Sequence, residues 1–246
     1  MRPISTFAAL LFALPGAAAH LTPAASRAFD AYVQSAEPRA VAAQPGGAPD
    51  TRIDPVNGGT WSVPGGLIHH WRGIAFVPGA RATDMLGLIH DRDHLERYYA
   101  PDVVYSRVIA PNTVLMRFKK QRIVTVVIDA EFQTRSATTA PGRGYSLSRS
   151  THVWQVERPG TPAERRLPEG DDDGYLWRLN SYWTFRETAG GLFIQCEAIS
   201  LTRDVPTGLG WLLNPIIQTL PRASLEFTLN ATRSALTTIA AKEAHQ

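Results

Sequence analysis

From Trp61 onward, the alternation of apolar and polar positions lays out a strand, two short helices, a long run of strands and a closing helix. Residues 67–77 read as a strand that ends at Pro78-Gly79. Met85, Leu86 and Ile89 recur at helical spacing over residues 80–90, and a second short helix over 94–99 is stopped by Pro101. From Val103 the period becomes two. Residues 103–110 and 113–119, joined through Pro111-Asn112, predict a hairpin. In the strand over 123–133, Val124, Val126, Ile128, Ala130 and Phe132 share one face, while Thr125, Asp129, Glu131 and Gln133 share the other. That split predicts one buried side and one wet side. A strand over 145–156 is followed by a Pro-rich loop over 158–174, and strands over 175–186 and 192–202 form a second hairpin through Gly190-Gly191. Pro206 starts a short helical turn through Trp211 to Asn214, and Pro215 and Pro221 interrupt or restart it. Residues 224–241 make a long helix with Leu225, Leu229, Leu236 and Ile239 on one stripe.

Before Trp61 the pattern is different. Thr22 as N-cap, Pro23 in the first turn, and Phe29, Tyr32 and Val33 on a common face predict a short amphipathic helix over 22–36, packed on the domain. Residues 37–59, rich in Pro, Gly, Ala and Asn, read as a linker or extended arm. Arg2, the apolar stretch over 7–14 and the small residues after Pro15 read as a cleaved export signal, which implies a periplasmic or secreted protein. That stretch falls short of the roughly 20 residues a membrane span needs, so no stable transmembrane anchor is expected. The expected organisation is a signal over 1–19, a helix and linker over 20–60, and one main domain over 61–241. Cys196, the single cysteine, can form no internal disulfide and is expected as a buried thiol. The formal charge of +3 comes from scattered Lys and Arg, which argues against a nucleic-acid partner.

The element order of strand, helix, helix, six strands and long helix resembles the START-like helix-grip superfamily over roughly residues 61–241. That superfamily includes lipid-transfer domains, plant pathogenesis-related allergens and bacterial polyketide cyclases or aromatases. The block Gly174-Tyr175-Leu176-Trp177-Arg178-Leu179-Asn180, with residues 191–203 and Asp204-Val205-Pro206-Thr207-Gly208-Leu209, is also similar to a set of exported bacterial proteins with this domain. The resemblance implies an α+β fold. A curved antiparallel sheet of about seven strands would surround the C-terminal helix, with an apolar pocket between them for a lipid or other hydrophobic small molecule. No family catalytic residue carries over, because the superfamily shares topology more than motif.

No cofactor or metal is expected from the motifs. His90 and His94 flank Asp91 where one helix stops and another begins, which destroys a common metal-binding face and leaves a charged interhelix turn. His69 and His70 must point to opposite faces of their strand, one half-buried and the other solvated. Gly144-x-Ser146-x-Ser148 lies inside a strand and lacks a nucleophile elbow, Gly208-x-Gly210 follows no parallel strand, and Asp171 to Asp173 read as a solvated turn.

The candidate ligand contacts are therefore inward-facing. Met116, Phe118, Ile128 and Phe132 come from the middle strands; His152 and Trp154 come from the next. Trp177, Ser181 and Trp183 follow, and Trp211, Ile216, Leu220 and Phe227 belong to the C-terminal helical region. Arg149, Arg178, Glu197 and Arg203 read as a charged ladder on the convex face. The leading reading is non-catalytic binding of a hydrophobic molecule in the cell envelope. One alternative is a cyclase, dehydratase or hydrolase using His152, Arg149 or Glu197 as acid or base. The other is an interaction module whose cavity is filled by Trp211 and Phe227.

Overall fold

The computed structural model describes residues 19–47, 50–121, 125–204 and 210–243, with 210–218 described by their backbone alone. In chain order the elements are β1 (Ala19–His20), α1 (Pro23–Ala42), β2 (Arg52–Val63), β3 (Gly66–Pro78), α2 (Ala82–His90), α3 (Glu96–Tyr99), β4 (Val103–Ala110) and β5 (Thr113–Gln121). Then come β6 (Thr125–Ala140), β7 (Arg143–Glu157), β8 (Arg165–Arg166), β9 (Asp171–Asp172), β10 (Arg178–Thr188), β11 (Gly191–Thr202) and α4 (Gly210–Glu243). An antiparallel sheet runs in the order β2-β3-β11-β10-β7-β6-β5-β4, with β8 on β7, and β1 pairs separately with β9. This is the α+β helix-grip order, a large curved sheet holding a long C-terminal helix.

Helix α4 packs on the inner face. Leu229 and Leu236 are fully buried with Ala75, Val77, Phe185, Leu192 and Ile194, and α2 adds Met85 and Leu88 to the same core. Gly73 lets the helix come close, since a Cβ there would stand 2.9 Å from Leu229 Cδ2 and 2.8 Å from Ile53 Cδ1. Pro215 and Pro221 do not break the helix, which runs through both. Each proline removes one backbone hydrogen bond. Burial of the stripe at Leu225, Leu229 and Leu236 offsets that loss.

The opposite face is covered too. Thr22 Oγ1 accepts a hydrogen bond from Ala25 N and opens α1, which continues past Ala36, through Pro38, to Ala42. Its buried residues Ala25, Phe29, Ala36 and Ala40 lie against Ile68, Leu147, Tyr182, Ile199 and Leu201. The segment read as a linker supplies the last turns of α1 and the strand β2, which pairs with β3 and is irregular between Pro55 and Thr60. The wet face expected for β6 is only partly wet. Asp129 there is buried, accepting from Arg117 Nε and Nη2 at 2.6 and 2.9 Å and from Arg166 Nε at 2.9 Å. Burial opposes its ionisation, but the two guanidiniums outweigh burial and hold its carboxyl below the usual range.

Candidate functional site

Strand alternation sends Met116 and Phe118 of β5, Val126, Ile128, Ala130 and Phe132 of β6, and Val153 of β7 to the inner face as one apolar cluster with Leu176 and Leu179. Within it Ile128, Ala130, Phe132 and Val153 are buried, whereas Met116, Phe118 and Leu179 stay partly exposed. Trp183, next along β10, is also partly exposed, as are Leu220 and Phe227 on α4. Among the described residues α4 packs chiefly on β3, with lesser contacts to β11 and β2, which leaves the β5–β10 corner of the inner face less covered. Ser181 and Ser148 sit opposite one another there, half-exposed, and make no hydrogen bond among the described residues. The corner is an apolar surface with a small hydroxyl row. It suits a hydrophobic molecule carrying one polar group.

Several expected contacts lie elsewhere. His152 and Trp154 are on the outer face, stacked at 5.2 Å, with His152 Nδ1 2.9 Å from Glu169 and the Arg166 guanidinium 4.4 Å above Trp154. The cause is a bulge: Phe132 pairs with Ser150 and Glu131 with His152, so the extra Thr151 reverses the faces beyond it and turns Val153 inward. Trp177 packs with the α1 cluster and donates from Nε1 to Asp172 Oδ1 at 3.1 Å. That carboxylate is buried rather than solvated; burial raises its pKa against the hydrogen bonds from Gly174 and Trp177. Trp211 and Ile216 lie outside the residues whose side chains are described.

Two members of the charged ladder dock α1, while Arg203 donates from Nη1 to the Asp173 carbonyl at 3.2 Å. Arg149 pairs with Glu37 of α1 (Nε–Oε2 2.6 Å) and Arg178 with Asp30 of α1 at 2.8 Å, while Glu197 bonds His70. His152, Arg149 and Glu197 thus each have a separate partner on the outer face and do not converge on the inner one. His69 and His70 do point to opposite faces, but both are fully buried. His69 stands between Thr60 Oγ1 and Thr202 Oγ1 at 2.9 and 3.0 Å, and burial drives its pKa down to about 4. Asp91 takes hydrogen bonds from Tyr98 at 2.7 Å and at His94 Nδ1 at 2.8 Å in the turn after α2. Cys196 is buried, which pushes its thiol up and leaves it unreactive.

The outer face holds a pocket of about 380 Å³ between the end of α1, the segment before β2, and strands β2, β3 and β11. On its floor Glu197 takes His70 Nε2 at 3.0 Å on one oxygen and Gln195 Nε2 at 3.0 Å on the other. With a carboxylate at Glu197, His70 carries its proton on Nε2, so Nδ1 accepts from Tyr32 Oη at 2.7 Å. Asn57 Nδ2 donates to the same Tyr32 oxygen at 2.9 Å. Burial raises the Tyr32 pKa, against the Asn57 hydrogen bond. This chain of contacts was hidden in the sequence by reading 37–59 as linker. A visible signal was the i, i+2 pair His70 and Arg72 on one strand and Gln195 and Glu197 on another, both polar positions within otherwise apolar runs.

No protein-family model matches the chain, and no curated protein matches it. Among solved structures it is similar to a STAR-related lipid transfer protein fragment from Xanthomonas axonopodis, at 18% identity over 76% of this chain and 98% of that one, with a TM-score of 0.47. A START superfamily protein from Mycobacterium smegmatis is 11% identical over 70% and 99% of the two chains, with a TM-score of 0.46. The Zhui aromatase/cyclase from Streptomyces sp. R1128 is 12% identical over 72% and 96%, with a TM-score of 0.47. The helix-grip assignment rests on this chain's own element order and strand pairing. No described helix is long and apolar enough to cross a membrane.

Proposed function

We propose that this protein binds a hydrophobic small molecule or lipid on the inner face of its sheet, without catalysing its conversion. The observation that carries the reading is the partly exposed run Met116, Phe118, Leu179 and Trp183, in a corner where α4 has few contacts among the described residues. Leaving such side chains incompletely packed forfeits roughly 25 cal/mol for each Å² of apolar surface kept in water. A ligand that covers them recovers that energy. Ser181 and Ser148 offer its polar group a hydrogen bond, and the acid–base candidates His152, Arg149 and Glu197 lie on the other face. The reading also has the protein working in the periplasm or outside the cell, in keeping with the basic start and apolar stretch of its first 19 residues.

The test uses the full chain. Native mass spectrometry and solvent extraction look for copurified lipid, and fluorescence of the neutral probe N-phenyl-1-naphthylamine measures binding directly. A probe signal that weakens several-fold in Leu179→Gln and Met116→Gln is expected. No copurified molecule and no probe binding, in protein that unfolds cooperatively, would remove the proposal.

A further inference from the structure

We infer that the outer pocket is a second binding site, built for a small organic monocarboxylate with a short apolar body. It stands apart from the inner-face reading, since its walls come from the opposite side of the sheet. Three arginines line it, and their states differ. Arg52 is committed to Asp54 at 2.7 Å, whereas Arg39 makes no hydrogen bond or ion pair among the described residues. Arg72 reaches Asp54 only at 3.8 Å through Nη2, and its Nε is buried without a hydrogen-bond partner. An orphaned buried donor is costly, and a free guanidinium edge beside it is a fork that a carboxylate fits.

The remaining groups narrow the ligand. Glu197 is fixed on the floor by His70 and Gln195, and the Tyr32 and Asn57 hydrogen bonds behind His70 hold it there. Its negative charge repels a dianion more strongly than a monoanion, which sets a carboxylate ahead of a phosphate. Ala36, Ala43, Val56 and Ile74 supply apolar wall, so the bound acid carries a hydrocarbon part. The volume lies at the lower end for small-molecule clefts, which excludes a long acyl chain.

Hexanoate and phenylacetate are the probes, with hexanamide and phenylacetamide as neutral counterparts, titrated into full-length protein by calorimetry and by NMR of arginine Nε signals. Both acids are expected to bind and to shift the Arg72 Nε resonance. The amides, and the acids against Arg39→Gln, should bind at least tenfold more weakly. Arg39 is exposed, so that variant keeps its fold, and Leu179→Gln on the inner face should leave acid binding unchanged. The inference is overturned by no binding of either acid at about 10 mM, well above a Kd on the order of 1 mM. It is overturned equally by acid affinity that Arg39→Gln does not reduce, or by acid binding that Leu179→Gln abolishes, which would place the acids on the inner face.

Discussion

His69 makes the stability of this protein depend on pH in a way that can be isolated. Its ring is fully buried and hydrogen-bonded only to the hydroxyls of Thr60 and Thr202, with no carboxylate to stabilise a cation. In the unfolded chain the imidazole gains its proton near pH 6.5, whereas in the folded protein it resists protonation until about pH 4. Between those values the unfolded state binds more protons, so folding stability falls as pH falls. At one pKa unit per 1.36 kcal/mol, the loss from neutral pH to pH 4 is about 3 kcal/mol. His69→Gln keeps an amide donor and acceptor near both threonines but cannot titrate. Urea unfolding of both proteins at pH 7, 5.5 and 4 should show the wild type losing about 3 kcal/mol more than the variant over that range. Other groups that titrate alike in both proteins cancel in the difference. Parallel losses would show that His69 is protonated in the fold and would refute the reasoning.

Phe29→Ala should cost about 3 to 5 kcal/mol in urea unfolding, because the ring is fully buried beneath α1; a dispensable arm would lose almost nothing. Arg117→Met should destabilise by about 2 to 4 kcal/mol, since it leaves buried Asp129 with Arg166 alone, and Arg117→Met with Asp129→Leu should recover part of that loss. Val153→Asp should abolish naphthylamine binding or folding. His152→Ala, one residue away on the outer face, should change probe affinity less than twofold, as a fluorescence titration will show.

The long strands were legible because most of each keeps a two-residue period and their turns are marked, as at Pro111-Asn112, where Asn112 takes φ +60°. Strand β2 was not. Its middle carries Pro55, Asn57 and two glycines, and the pairing register shifts between Pro55 and Thr60, so no alternation survives to be read. The bulge at Thr151 misdirected His152 and Trp154 for a related reason, since one unpaired residue reverses every face beyond it without leaving a mark in composition. The outer layer had a visible trace. Strand β11 is apolar at Leu192, Ile194 and Cys196 on one side and at Phe193, Ile199 and Leu201 on the other, the sign of a strand covered on both faces.

Among the described residues each covering helix leaves part of the sheet less covered, and the two openings are diagonal. Helix α4 lies over β2, β3 and β11 on the inner face, leaving the β5–β10 corner; α1 lies over β7, β10 and β11 on the outer face, leaving the β2–β3 corner where the pocket forms. The two corners differ in chemistry because their strands do: hydroxyls and aliphatic groups inside, guanidinium, imidazole and carboxylate outside. Strand β11 is covered on both sides and sits between them, with Gln195 and Glu197 facing the outer pocket and Cys196 and Ala198 facing inward. Adjacent residues of a single strand therefore address different sites. Tighter acid binding in Glu197→Gln with naphthylamine binding intact, and loss of naphthylamine binding alone in Ala198→Leu, would separate the two sites across two consecutive residues of one strand.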